Sequence, residues 1–126
     1  TPEEVGMCSC VTEEYTDLYL NSFCFGFRFY ESNVNSRFLT FLIRSKIGRD
    51  LMIELAQGST RYNLPKRKFL SSSIQLPKDI NEQNEIADIL SDIDAEIEEL
   101  ESKRDKYIAL RQGMIQQLLT GKIRLI

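Results

Sequence analysis

The chain has 126 residues, of which 42% are hydrophobic and 28% are charged, and its formal net charge is −3. It contains no histidine and only three cysteines, which removes the most frequent general base and argues against a disulfide framework or a four-cysteine zinc site. No apolar run approaches the ~18 residues of a membrane helix and there is no signal peptide, so we expect a cytoplasmic fragment or processed chain without metal or cofactor.

The charges are segregated along the chain. Residues 1–17 hold five acids and no base, whereas residues 28–78 hold ten bases and three acids. Residues 79–101 then hold ten acids and no base, and residues 102–126 hold six bases and one acid. A basic block beside an acidic segment could bind polyphosphate locally, although scattered and solvated charges explain the pattern about as well.

The first 30 residues are predicted to contain strands. A brief strand is expected within residues 5–11. A clearer strand spans residues 21–30, in which every second residue is aromatic: Phe23, Phe25, Phe27 and Phe29. We interpret this aromatic face as core, and a base-stacking platform is the less favoured alternative.

Residues 37–56 are predicted to form one helix that Ser36 caps and that ends at Gln57 and Gly58. Gly48 is expected to weaken its middle by about 1 kcal/mol relative to alanine. The inward face is expected to consist of Phe38, Leu42, Ile43, Ile47, Leu51 and Leu55. The bases on the outward face are left for solvent or a ligand.

The next segment is the best candidate for a binding site. Small residues and hydroxyls at 58–60 precede four bases, three of which follow Pro65 on a predicted helical turn that ends near residue 70. Glycine allows close approach of the backbone, and hydroxyl and guanidinium groups bind phosphate oxygens. The residues predicted to bind DNA, through phosphate or a guanine edge, are Arg44, Lys46, Arg49, Ser59, Thr60, Arg61, Lys66, Arg67 and Lys68. Alternatively, Arg61 pairs with an acid at the start of the following helix and the loop is structural.

After a short predicted strand at 73–76, the stretch 77–121 is predicted to contain one helix of roughly 39 residues, about 58 Å long. Asp79 or Asn81 would cap its start, and Thr120 and Gly121 would end it. Apolar residues recur at steps of three and four, and so short a chain cannot bury such a stripe. We therefore expect a partner helix to contact Ile86, Leu90, Ile93, Ile97, Leu100 and Tyr107.

The apolar stripe widens toward the end of this helix. The widened part is expected to contact other subunits through Ile108, Met114, Ile115, Leu118 and Leu119. Arg104 and Arg111 interrupt the stripe, and in a parallel pair these like charges would meet. We therefore favour an antiparallel pair, in which they could lie near acids such as Asp94 or Glu101 of the partner.

Several motifs follow one another in the second half of the chain. They are Gly-Ser-Thr-Arg at 58–61, Ile-Gln-Leu-Pro at 74–77, Glu-Gln at 82–83, Ile-Ala-Asp-Ile-Leu-Ser-Asp-Ile-Asp at 86–94 and Gln-Gly-Met-Ile-Gln-Gln-Leu-Leu-Thr-Gly-Lys-Ile-Arg-Leu at 112–125. In this order they closely resemble the specificity (S) subunit of bacterial type I restriction-modification enzymes. The resemblance extends over roughly residues 20–126 and is most specific at the closing motif.

The resemblance implies a mixed α/β target recognition domain followed by a long conserved helix. Full S subunits carry two such units in tandem, their helices pack antiparallel, and each recognition domain reads one half of a bipartite DNA site. The helices also bind the methyltransferase subunits, which carry S-adenosylmethionine and the chemistry. Relative to this pattern the chain has one helix and a short recognition domain, so we expect two copies to pair through the helix.

The sequence therefore predicts an α+β chain. Residues 1–76 are expected to form a partial recognition domain, and residues 77–126 a helix for dimerisation, spacing and subunit docking. The expected function is non-catalytic DNA recognition in a complex with methyltransferase and restriction subunits, with no membrane contact. The alternatives are a truncated S-type protein that binds methyltransferase subunits without reading DNA, and an unrelated coiled-coil dimeriser with a small basic head.

Overall fold

The computed structural model describes residues 4–13, 15–30, 32–58 and 62–124. Four helices lie in this part of the chain: α1 (Ser36–Arg44), α2 (Lys46–Leu55), α3 (Lys66–Ser71) and α4 (Ile80–Leu119). The chain divides into two compact units, Thr1–Asp88 and Ile89–Ile126, so α4 contributes residues 80–88 to the first unit. The domain boundary predicted between residues 76 and 77 stays a prediction.

The predicted mixed α/β architecture is not confirmed, because the described residues contain no strand beyond an isolated antiparallel bridge. In the segment 21–30, Phe25 and Phe27 pack their rings against Phe69, with centroids 5.6 Å and 5.2 Å away. Phe23 is 77% exposed, so the aromatic face is only partly core. An alternating pattern forms a strand only where a second strand supplies the hydrogen bonds of a ladder.

The single helix predicted over residues 37–56 was wrong, since the helix breaks at Ser45. The cap is Asn35 rather than Ser36, and its Oδ1 accepts a 2.9 Å hydrogen bond from the N–H of the third residue of α1. Ser45 has extended backbone, with ψ at 169°, and its hydroxyl donates to the carbonyl of Leu42 at 2.6 Å. This local bond competes with continuation of the helix, so α2 starts at the next residue and packs against α1.

The core of the first unit lies between α1 and α2. Its buried members are Leu39 and Ile43 from α1 and Met52 from α2. Around them pack partly buried side chains from several segments of the unit: Cys8, Val34, Leu42, Leu51, Leu64, Phe69, Ile74 and Leu76. The predicted inward position of Ile47 was wrong, because its side chain is 68% exposed.

The long helix is confirmed. α4 has 40 residues and starts after Asp79, whose carboxylate accepts a 2.9 Å hydrogen bond from the N–H of Asn81, as an N-cap does. Its end is set by Gly121, which adopts a φ of 71° and donates to the carbonyl of Leu118. Among the described helices, none combines the length and the apolar composition needed to cross a bilayer.

Candidate nucleic-acid interface

Three of the predicted DNA-binding bases surround the break between α1 and α2. Arg44 ends α1 and is exposed, and Lys46 begins α2 with a side chain that is 88% exposed. Lys46 donates a 2.8 Å hydrogen bond to Asp50, which raises the pKa of Lys46. Arg49 is half-buried, and its Nη2 donates to the carbonyl of Val5 at 2.6 Å. Arg44 and Lys46 are therefore accessible to a ligand, whereas Arg49 also holds the N-terminal segment.

The other described bases of the predicted site follow one another on α3. Lys66, Arg67 and Lys68 form its first half and all three are exposed. The Nζ of Lys66 lies 5.8 Å from the ring centroid of Phe25, a distance at which a cation–π interaction stabilises the lysine on the aromatic cluster. α3 itself carries three bases and no acidic residue, so the surface of this helix is positively charged.

The Gly-Ser-Thr-Arg loop is described only at its base. Gln57 and Asn63 exchange two backbone hydrogen bonds of 2.9 Å and 2.8 Å, which close the loop. Gly58 adopts a φ of 134°, a conformation that favours glycine. The predicted contacts of Ser59, Thr60 and Arg61 lie outside the described residues.

Two thiols have contrasting environments. Cys8 is half-buried against the core, and its Sγ lies 3.8 Å from the carbonyl oxygen of Thr40. Burial raises the pKa of the Cys8 thiol, although the positive charges of Arg44 and Arg49 act in the opposite direction. Cys24 is exposed. Because the thiolate is the reactive form, Cys8 is expected to react more slowly than Cys24 with a thiol reagent.

The predicted pairing stripe of α4 is largely exposed beyond residue 88. Ile93 and Ile97 are each 48% exposed, and Leu100 and Tyr107 are 57% and 60% exposed. Ile86 and Leu90 are half-buried. Within this chain Arg104 contacts Asp105 at 3.0 Å and Glu101 at 3.7 Å. The stripe thus offers a row of apolar side chains that a second helix can cover.

The last three turns of α4 have the wider apolar surface that the sequence predicts. Large side chains lie on several sides of the helix here, and all but one are exposed. The residues predicted to dock other subunits are Ile108, Met114, Ile115 and Leu119, which are exposed, and Leu118, which is half-buried. Their role in docking stays a prediction.

Sequence reasoning missed a polar network at the start of α4. Gln83 is 1% exposed and bonds to residues about 50 positions earlier in the chain. A visible signal existed, because Asn35 precedes a helical pattern as an N-cap does and Gln83 interrupts an otherwise acidic segment. The sequence around Asn35 and Gln83 does not predict that these two residues bond to each other.

A family model described as "Type I restriction modification DNA specificity domain" matches residues 5–109 of the chain. No solved structure matches the chain. The match extends over most of the first unit and into the last third of α4, and it agrees with the resemblance carried by the motifs at 58–61, 74–77 and 86–94. The chain therefore belongs to the family of type I restriction-modification DNA specificity domains, which are DNA-recognition modules.

Proposed function

We propose that this chain recognises one half of a bipartite DNA target in a cytoplasmic type I restriction-modification complex, and that it acts as a pair of copies joined through α4. The observation that carries the proposal is the family match over residues 5–109, which includes both the basic helices and the exposed stripe of α4. In this function the chain positions DNA, and bound methyltransferase subunits carry out the chemistry. Restriction subunits are further partners of the same complex.

The basic surfaces supply the part of DNA affinity that does not depend on sequence. Arg44, Lys46 and the three bases of α3 are exposed, so they can contact phosphates without first breaking a buried interaction. Such contacts fix the position of a protein on the duplex, and base readout needs further side chains in a groove. We assign the segment 58–61 to phosphate contact because its composition suits a close approach to DNA.

Antiparallel pairing of α4 follows from its charge and its apolar spacing. With Leu100 at the two-fold axis, Ile93 lies opposite Tyr107 of the second copy, and Ile97 lies beside Arg104 of the second copy. The acidic half of one helix, residues 80–101, then runs along the basic half of the other, residues 102–119. A parallel pair would instead place acid against acid and base against base, so charge favours the antiparallel arrangement.

Docking of methyltransferase subunits is assigned to the last turns of α4. The width of the apolar surface from Ile108 to Leu119 exceeds what one partner helix covers, and Leu119 is 82% exposed. The terminal segment also carries Lys122 and Arg124, so an acidic or mixed partner surface with an apolar centre would fit it.

A DNA-binding measurement tests the proposed function. We expect gel shifts with the whole chain to show an affinity that falls steeply with salt. Replacing Arg67 and Lys68 with glutamine should weaken binding to all sequences alike and reduce the slope of log affinity against log salt by about 0.9 for each phosphate that the variant no longer neutralises. A matched control replaces Lys122 and Arg124, which lie beyond the end of α4, with glutamine and should leave the slope unchanged. Binding that is independent of salt, or absent, would favour an interaction protein that does not read DNA.

The pairing of α4 has its own test. Leu100→Asp places two carboxylates near the proposed two-fold axis and removes two buried leucines, each worth about 2–3 kcal/mol, so we expect dissociation to become at least 100-fold easier. Ala109→Asp adds the same charge on the opposite face of the helix and should leave the dimer intact. Light scattering at micromolar concentration measures both. A wild-type monomer, or a dimer unaffected by Leu100→Asp, contradicts the proposed pairing.

A further inference from the structure

Gln83 is the only polar side chain among the described residues that is fully buried in the first unit, with 1% exposure. It lies in the first turn of α4 and uses both ends of its amide. The Oε1 accepts a 2.9 Å hydrogen bond from the N–H of Asn35, and the Nε2 donates to the carbonyls of Asn33 at 3.1 Å and Pro77 at 2.8 Å. One uncharged side chain thus joins the start of α4 to two other backbone segments.

Further contacts close to the Gln83 amide join the start of α1 to the start of α4. Asn35, which caps α1, donates from its Nδ2 to the Oδ1 of Asn84 at 2.6 Å. One turn further along α4, Arg37 donates to Asp88 at 2.7 Å, and Ala87 beside it is fully buried. We call the set formed by the side-chain amides of Asn35, Gln83 and Asn84 and the backbone carbonyl of Asn33 the amide clasp.

The geometry of the clasp limits how the helix can move. An apolar contact between two helices tolerates small rotations and slides, whereas hydrogen bonds lose energy steeply when their angles change. All three partners of Gln83 are backbone atoms, so they cannot follow a moving helix by changing rotamer. The additional bond from Asn35 to Asn84 prevents rotation about the Gln83 amide alone.

We infer that Gln83 is a positioning residue, and that the amide clasp fixes the direction of the first turns of α4, residues 80–88, against the start of α1. The inference rests on the proposed function, because the direction of α4 matters for DNA only if paired helices hold two reading surfaces at a set separation. The clasp then determines the spacing between the two half-sites, without itself touching a base. Different residues thereby determine which half-site sequence is recognised and how far apart the two half-sites lie.

A purely structural role for the clasp predicts a different outcome. If Gln83 only stabilises the first unit, its loss should loosen α1, α2 and the start of α4 together. If it positions α4, its loss should free the joint while the contact between α1 and α2 remains. Spin-label distances and the rates of amide hydrogen exchange distinguish these two outcomes.

Distance measurements on the whole chain test the inference directly. Spin labels are attached to non-natural amino acids at the exposed positions 73 and 102, and the labelled chain is diluted with unlabelled chain. The measured quantity is the distribution of distances between the two labels within one chain. We expect Gln83→Glu, which turns a carboxylate toward two carbonyls, and Gln83→Leu to broaden the distribution. Gln75→Glu adds the same charge at an exposed position and should leave it unchanged. An unchanged distribution in the Gln83 variants overturns the inference.

Two further measurements keep this test decisive. In hydrogen exchange, we expect the amides of residues 33–38 and 80–88 to exchange about 10- to 100-fold faster in the Gln83 variants, while those of α2 keep their protection. Uniform acceleration across α1 and α2 instead supports the structural role and contradicts positioning. If both Gln83 variants fail to fold, Asn84→Ala removes only the outer bond of the clasp and is expected to broaden the distance distribution. An unchanged width in that variant likewise overturns the inference.

The effect of the clasp on DNA recognition is measured by mapping methylated sites after co-expression with a methyltransferase subunit. We expect Gln83→Glu to keep the half-site sequence and to relax the spacing between half-sites. Fixed spacing in the variant contradicts the inference even when the proposed function holds. Absence of methylation with the wild-type chain contradicts the proposed function instead, and the distance measurement still decides the role of the clasp.

Discussion

Replacing Gly48 with alanine is expected to destabilise the first unit by about 1–3 kcal/mol, although alanine is the better helix former. An added Cβ would lie 2.3 Å from the carbonyl oxygen of Leu42 and 2.4 Å from the Cα and carbonyl oxygen of Ile43. These are backbone atoms of α1, so they can give way only if the two helices move apart. The steric cost therefore exceeds the gain of about 1 kcal/mol in helix propensity.

Gly113→Ala is the matched control for this substitution. Gly113 lies in α4, and apart from its neighbours in the helix backbone nothing in the described structure lies within 4 Å of an added Cβ, so only the propensity gain applies there. Urea unfolding followed by the fluorescence of the tyrosines and by circular dichroism measures both variants. A higher free energy of unfolding in Gly48→Ala would show that α1 and α2 do not approach each other as described.

The second large effect is expected at Met52. Its side chain is 1% exposed and packs against Leu39 and Ile43, and a Cβ on Gly6 would come within 2.9 Å of its sulfur. Met52→Ala removes this packing and leaves a cavity, which costs about 2–5 kcal/mol. Since small domains have a total stability of about 5–15 kcal/mol, this one change should remove a large share of it.

Ile53→Ala provides the comparison, because Ile53 is the next residue of α2 but is 42% exposed. We expect its cost to be about 1 kcal/mol or less. A second readout is local: Cys8 packs against the same core, so Met52→Ala should accelerate its reaction with a thiol reagent, with the exposed Cys24 as internal reference. Equal effects of the two substitutions would contradict the assignment of Met52 to the centre of the core.

The sequence predicted α4 well because its signals are local. Apolar spacing, the Asp79 cap and Gly121 each act within a few residues, and the observed helix of 40 residues agrees with the roughly 39 expected. The family could also be predicted, since the motifs at 86–94 and 112–125 are short and specific. Local pattern was sufficient in both cases.

The elements that sequence reasoning missed depend on distant contacts. Gly48 suggested a weak point within one helix, but its lack of a side chain allows α2 to lie against the backbone of α1. The alternating phenylalanines predicted a strand, yet Phe25 and Phe27 pack on Phe69, about 40 residues away in sequence, and no ladder forms in the described part of the chain.

In the candidate site, too, some residues could be predicted from local pattern and others depend on distant contacts. The exposed bases of α3 and the junction residues Arg44 and Lys46 follow from composition and helical spacing. The dual role of Arg49 does not, because its bond to Val5 joins residues 44 positions apart. Gln83 is a still clearer case, since its amide bonds to the backbone of Asn33 and Asn35, which no local pattern brings near it.

The central claim is that a pair of these chains gives a methyltransferase its DNA sequence specificity. Co-expression with a methyltransferase subunit, followed by mapping of methylated adenines or cytosines, tests it most directly. Because two identical copies would read the DNA, we predict methylation at one inverted repeat with a fixed spacing, abolished in the Leu100→Asp variant. Co-purification of the subunit without any methylated sequence would contradict the claim, as would methylation that is the same in the absence of the chain.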